Sequence, residues 1–138
     1  MTDRFVGTWK LNVARSQFDQ NHQPTAGTMV MAIDAQGEYL MNAHGLNAKG
    51  EPVTERPSRL VPDGQPHPIP DLPGLSTVTT RPDANTLHTE ARREDGSIVG
   101  GGTVVVSPDG TWLTATNFGY DTQLRQYQQR TVWDKVGE

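Results

Sequence analysis

The chain has 138 residues, no cysteine, and 12 Lys and Arg against 16 Asp and Glu, for a net charge of −4. That length makes one domain (1–138) with a core of its own, and the missing thiols exclude disulfides, zinc–thiolate and Fe–S ligation, and cysteine nucleophiles. The basic residues form no stripe that could neutralise phosphates, no run approaches the roughly 20 apolar residues of a membrane span, and no apolar leader precedes the first strand, so we expect a cytoplasmic protein with neither nucleic acid nor membrane insertion among its interactions.

The first predicted strand, 5–11, carries Gly7-Thr-Trp9. Alternation puts Gly7 and Trp9 on one face, where the glycine lets the chain pass closely and the indole fills the space beside it, as the closed end of a β-barrel requires. Residues 13–23 have room for one short helical turn, with Phe18 capping the barrel. Strands 27–35 and 38–46 follow, turned at Gln36-Gly37, with Met29, Met31 and Ile33 sharing one face and Tyr39, Met41 and Ala43 another. After Lys49-Gly50 comes a strand at 52–61, where Arg56, Ser58 and Leu60 share a face and Pro57 marks an edge or a bulge. The segment Pro62 to Gly74 holds five prolines in thirteen residues, too many for an inner strand, and reads as a stiff connector that rims or lids a cavity.

Strands 75–81, 86–93, 98–106, 111–118 and 126–135 complete the chain, punctuated by Asp95-Gly96 and Pro108-Asp-Gly110. Gly100-Gly-Gly102 has neither the spacing nor the following helix of a phosphate loop and predicts a bulge or sharp bend. Nine antiparallel strands without crossover helices fit an all-β, antiparallel up-and-down β-barrel of about 8–10 strands better than a sandwich, which needs long crossovers. A hydrophobic content of 33% also suits a barrel with a partly unfilled lumen better than two thick layers.

The Gly-x-Trp strand, the hairpin cadence and the closing strand from Tyr127 to Lys135 resemble the lipocalin (calycin) superfamily, and more narrowly its small bacterial lipocalin-like proteins. Gly7-Thr-Trp-Lys-Leu-Asn12, Gly50-x-Pro-Val53, Asp83-Ala-Asn85, Val105-Val-Ser-x-Asp-Gly110 and the final Asp-Lys135 carry the likeness along nearly the whole chain. It implies a hydrophobic small molecule bound inside the barrel. It also implies a cation from the last strand packed on the Trp9 indole, with Arg130 the candidate and Arg125 the alternative. The second and third lipocalin motifs are not recognisable. Leu11 and Val13 stand where haem-binding nitrobindins carry glycines, so no haem, and no other cofactor, is expected.

Met29, Met31, Tyr39, Met41, Leu113 and Phe118 supply adaptable or aromatic wall material for such a pocket. Arg56 would anchor a ligand carboxylate or phenolate there, and Asn117 and Tyr120 would supply hydrogen bonds at the rim. His88-Thr-Glu90 sets an imidazole and a carboxylate on one strand face roughly 7 Å apart, the spacing of an acid–base pair, although alternation with Leu87, Thr89 and Ala91 equally turns the pair to solvent. His67 on the proline segment is a third acid–base candidate. His22, His44 and His67 lie in separate segments without metal-ligand spacing, so no metal is expected. The leading reading is a barrel that binds or carries a small hydrophobic or aromatic molecule. A cofactor-free cyclase, isomerase or lyase is the alternative, and an interaction module, with a homodimer left open, a third.

Overall fold

The computed structural model describes residues 4–18, 24–54, 58–69, 72–120 and 126–137, the side chain of Tyr120 excepted. They form one antiparallel sheet of eleven strands, β1 (Gly7–Leu11), β2 (Ala26–Ile33), β3 (Tyr39–Leu46), β4 (Pro52–Thr54), β5 (Ser58–Leu60), β6 (Pro66–Pro68), β7 (Leu75–Asp83), β8 (Thr86–Arg93), β9 (Ile98–Val106), β10 (Trp112–Tyr120) and β11 (Gln126–Gly137). The sheet order is β4-β3-β2-β1-β11-β10-β9-β8-β7-β6, with β5 also paired to β3. The strand expected at 52–61 is therefore present as two pieces, both lying along β3. Pairing of β1 with β11 joins the two ends of the chain.

The two ends of the sheet path curl toward each other. Arg81 on β7 donates from Nη1 to the Tyr39 hydroxyl on β3 at 2.6 Å, and one apolar cluster gathers side chains from β1, β2, β3, β5, β8, β9 and β10. Among the described residues no ladder joins β6 to β4 or β5, so a seam runs between them, crossed by the chain itself as it passes from β5 to β6.

The proline segment departs from its expected role. Instead of lying wholly over a rim, it climbs the side of the barrel as β6, and of its described residues only Ile69 and 72–74 reach the same end of the barrel as the 94–97 turn. The Ile69 amide donates to the Leu75 carbonyl, so alternation points the nitrogens of Pro66 and Pro68 away from β7 and toward the seam. The seam-facing edge thus lacks a donor at both positions, which blocks further strand addition there.

The bulge expected at Gly100-Gly-Gly102 sits immediately before it. Ala91 pairs with Gly100 and Arg92 with Ile98, leaving Val99 as the extra residue. The short helical turn is a 3-10 turn at Val13–Arg15, capped by the Asn12 side chain accepting from the Arg15 amide at 3.1 Å. His22 lies outside the described residues.

Asx turns set several of the hairpins. The side-chain oxygens of Asp34, Asn47, Asp95 and Asp109 each accept from the amide two residues on. Asp109 also accepts from the hydroxyls of Ser107 at 2.6 Å and Thr111 at 2.8 Å, and these bonds, that of Ser107 foremost, lower its carboxyl from 3.8 to about 2. A carboxyl depressed in the folded state stabilises above its unfolded value and loses that contribution as pH falls through the folded one. Asp109→Ala should therefore lower the urea midpoint at pH 7, with the gap to the native chain narrowing as the pH is taken below 3. An equal gap at both pH values would contradict this role.

Candidate functional site

Register divides the inner face of the barrel into two halves of different character. In the lower half Phe5, Trp9, Met31, Tyr39, Leu87, Val106 and Leu113 are fully buried, joined by Met29 and Leu60. They form a plug. The Trp9 Nε1 donates to the Phe5 carbonyl at 3.0 Å, and Phe5 meets Tyr39 edge to face with centroids 5.7 Å apart.

Two cations seal the plug. Trp9 stands opposite Lys135, whose stem crosses Gly7 so closely that a methyl group there would lie 2.7 Å from the Lys135 Cε. The Lys135 ammonium comes to 5.5 Å from the Trp9 ring centroid, a cation–π distance. The guanidinium of Arg81 lies 5.5 Å from the Phe5 centroid and 5.9 Å from that of Tyr39. Lys135, not Arg130, is thus the last-strand cation on the indole. Arg130 has the opposite parity on β11 and exchanges backbone hydrogen bonds with Gln17, while Arg125 lies outside the described residues.

Above the plug the inner face turns small. On one wall stand two rungs, Thr77, Ala91 and Gly100 across β7, β8 and β9, and Thr89 with Gly102 next to it. On the opposite wall Gly27 pairs with Gly45, one inward position beyond Met29 and Ala43, of which Ala43 packs against the plug. At Gly45 a methyl group would meet the Ala26 carbonyl oxygen at 2.2 Å, so close backbone approach excludes any side chain there. Trp133 reaches from β11 across to Gly27, and its Nε1 donates to the Thr131 hydroxyl at 2.8 Å.

The same half carries a band of polar side chains on β10 and β11. Asn117 pairs with Gln129, Ala115 with Thr131 and Gly119 with Tyr127, whose ring lies over the glycine. Gln129 Oε1 is buried without a hydrogen-bond partner. A recess of about 430 Å³ lies against these strands, lined by Gln17, Phe18, Thr116, Gln128, Gln129 and Arg130, of which Thr116, Gln128 and Arg130 have outer parity.

The expected wall residues separate by height and by face. Met29, Met31, Tyr39 and Leu113 belong to the plug, and Met41 is partly buried against it. Asn117 is on the inner face. Phe118 is not, because Leu113 and Ala115 fix the inner parity of β10. Its ring packs instead across the outer side of Gly101, where a methyl group would lie 3.2 Å from it. Arg56 and the Tyr120 side chain lie outside the described residues.

The acid–base candidates do not converge in the lumen. His88 and Glu90 stand on the outer face, where His88 Nδ1 pairs with the Thr103 hydroxyl at 2.8 Å and Nε2 approaches Glu90 at 3.4 Å. Arg92 also bonds Glu90, and this bond is the main cause holding the Glu90 carboxyl below its ordinary range. His67 shares the parity of Thr77, but its Nε2 is 3.0 Å from both oxygens of Asp63. His44 is exposed on the outer face of β3. Among the described residues no group of three His, Asp or Glu side chains converges as a metal-ligand set, and no helix is long and apolar enough to cross a membrane.

No protein-family profile matches the chain, and no curated protein does. Solved structures do. The chain is similar to the fluorescent protein UnaG, at 11% identity with a TM-score of 0.66, covering 99% of this chain and 100% of that one. It is similar to the redesigned β-barrel mFAP1 bound to DFHBI, at 12% identity and TM-score 0.55 over 96% and 95% of the two chains. As-p18, an extracellular fatty acid binding protein, matches at 14% identity and TM-score 0.50 over 97% of each. These likenesses show the fold, an antiparallel β-barrel, as expected from the hairpin cadence and the Gly-x-Trp strand.

Proposed function

We propose that the protein binds a small apolar or aromatic molecule in the upper half of its barrel and carries or sequesters it. The observation that supports this reading is the division of the inner face. Bulky side chains are spent on the plug, while Thr77, Ala91, Gly100 and Gly102 leave one wall above it nearly bare. A barrel built only for stability would gain by filling those positions, since protein interiors pack closely and each buried methylene contributes about 0.8 kcal/mol.

The bound molecule would rest on Met41 and the top of the plug, where Met29, Met31, Tyr39 and Leu113 stiffen the floor. The similar structures include mFAP1 bound to DFHBI and the fatty acid binding protein As-p18, which supports a small-molecule ligand for this barrel. The outer placement of His88 and Glu90, and the pairing of His67 with Asp63, favour carriage over cofactor-free catalysis.

Native mass spectrometry of gently purified protein, followed by solvent extraction, tests the reading. A stoichiometric apolar adduct is expected from the cell or after incubation with the neutral dye Nile red. A protein that keeps a bare mass at saturating Nile red, with no dye fluorescence gain, would refute it.

A further inference from the structure

Resting on that reading, we infer that the bound molecule carries a planar conjugated ring system and stacks it on the indole of Trp133, which lies flat along the wall of the barrel. Two contacts fix the plane of that indole. Its Nε1 donates to the hydroxyl of Thr131, the next inward position of the same strand, about 7 Å further toward the upper end. Its far corner, Cη2, reaches Gly27, where an added methyl group would lie 3.3 Å from it. Gly27 stands two strands away, because β1 runs between β11 and β2. One anchor therefore pulls along the strand and the other across it. Both directions lie in the sheet, and both the N–H and Cη2 lie in the plane of the ring, so the indole is parallel to the wall.

The ring crosses Leu11, its partner on β1, whose Cβ also comes to 3.3 Å of a methyl group placed on Gly27. Leu11 is buried although it stands outside the main apolar cluster, as expected of a side chain with an indole laid over it. One face of Trp133 is thus spent on the wall and the other is turned to the lumen. A tryptophan placed only to fill the core would be wholly covered, as Trp9 is, whereas Trp133 is partly buried and packs against the plug from its edge. With its N–H held by Thr131, the indole has no hydrogen bond left to give and presents a bare π-face. Such a face gains from a flat aromatic partner beyond the area buried, while a saturated chain gains from area alone.

Displacement of Nile red by 2-naphthol and by decahydro-2-naphthol tests this, because the two share one skeleton and one hydroxyl and differ in aromaticity. We expect the aromatic probe to displace the dye at a concentration about fivefold lower, the effect of one stacked ring. In Trp133→Leu the ratio should fall to about one, with Nile red still bound, though more weakly. Thr131→Val keeps the indole and removes the anchor that holds it flat, so the ratio should fall there too, and this variant decides the matter if the leucine variant does not fold.

Equal displacement by both probes, preference for the saturated one, or a preference that survives Trp133→Leu, or Thr131→Val in its place, overturns the inference while leaving the binding barrel standing. Failure of the native chain to bind Nile red at all removes the barrel reading, and this inference with it.

Discussion

Replacing Trp9 by alanine is expected to remove about 3–5 kcal/mol of folding stability, which is a large share of the roughly 5–15 kcal/mol that holds a domain of this size together. The indole is fully buried at the centre of the plug and touches the ring and methionine layers on either side of it. Its loss opens a cavity that strands fixed by ladders on both sides cannot collapse to fill. It also leaves the Phe5 carbonyl without its donor and the Lys135 ammonium without its π-face. Urea denaturation followed by circular dichroism reads the effect. Should the alanine variant be insoluble, Trp9→Phe provides the graded case. It keeps a ring for Lys135 and most of the packing, loses the Nε1 bond to Phe5, and should fall between the native chain and the alanine variant. Lys135→Met, which keeps the stem across Gly7 and deletes only the charge, should cost no more than about 1 kcal/mol. Trp9→Ala unfolding at the native urea concentration would mean that the plug is not the keystone of the barrel.

Ala91→Trp is expected to abolish ligand binding while leaving the protein as stable as before. Ala91 faces inward from β8 between Thr77 and Gly100, so an indole there enters the space between the two bare walls. A ligand forced to withdraw even three or four methylenes from that space loses about 0.8 kcal/mol for each, which amounts to roughly two orders of magnitude in Kd. The new ring meanwhile gains apolar burial, so the melting temperature should hold or rise. Val105→Trp is the matched control. It lies one strand away on the outer face, 41% exposed, and should leave Nile red titrations unchanged. Ala91→Phe is the smaller variant if tryptophan disturbs the ladder. Native affinity in both Ala91 variants would place the bound molecule outside the lumen.

The cadence of turns, the Gly-x-Trp strand and the absence of helical periodicity are sufficient to anticipate a single all-β barrel from the residues alone. These are local properties: Asx turns, φ-permissive glycines and period-two alternation act within a few residues and can be read without knowing what lies opposite. Met29, Met31, Tyr39 and Leu113 are recognisable as inward-facing for the same reason. Even the proline segment announces that it cannot sit inside the sheet, because a residue without an N–H cannot pair on both edges.

What faces what is a different kind of information. Lys135, and not Arg130, seals the indole because β1 and β11 meet in one register out of several that alternation permits, and a shift of one residue would reverse every assignment. Phe118 turns outward by the same rule, and Arg81 reaches Tyr39 only because the sheet curls until β7 faces β3 across the seam. The candidate site belongs to this second class. Ala91 and Gly100 pair within one hairpin, but Gly45 on the facing wall comes from a strand far away in the chain, and no short sequence window contains both walls. The sequence by itself determined the strands, the turns and the existence of a plug, because those depend on local backbone chemistry. Only the tertiary structure decided which half of the lumen is filled and which cation covers the indole, because both depend on contacts between distant strands.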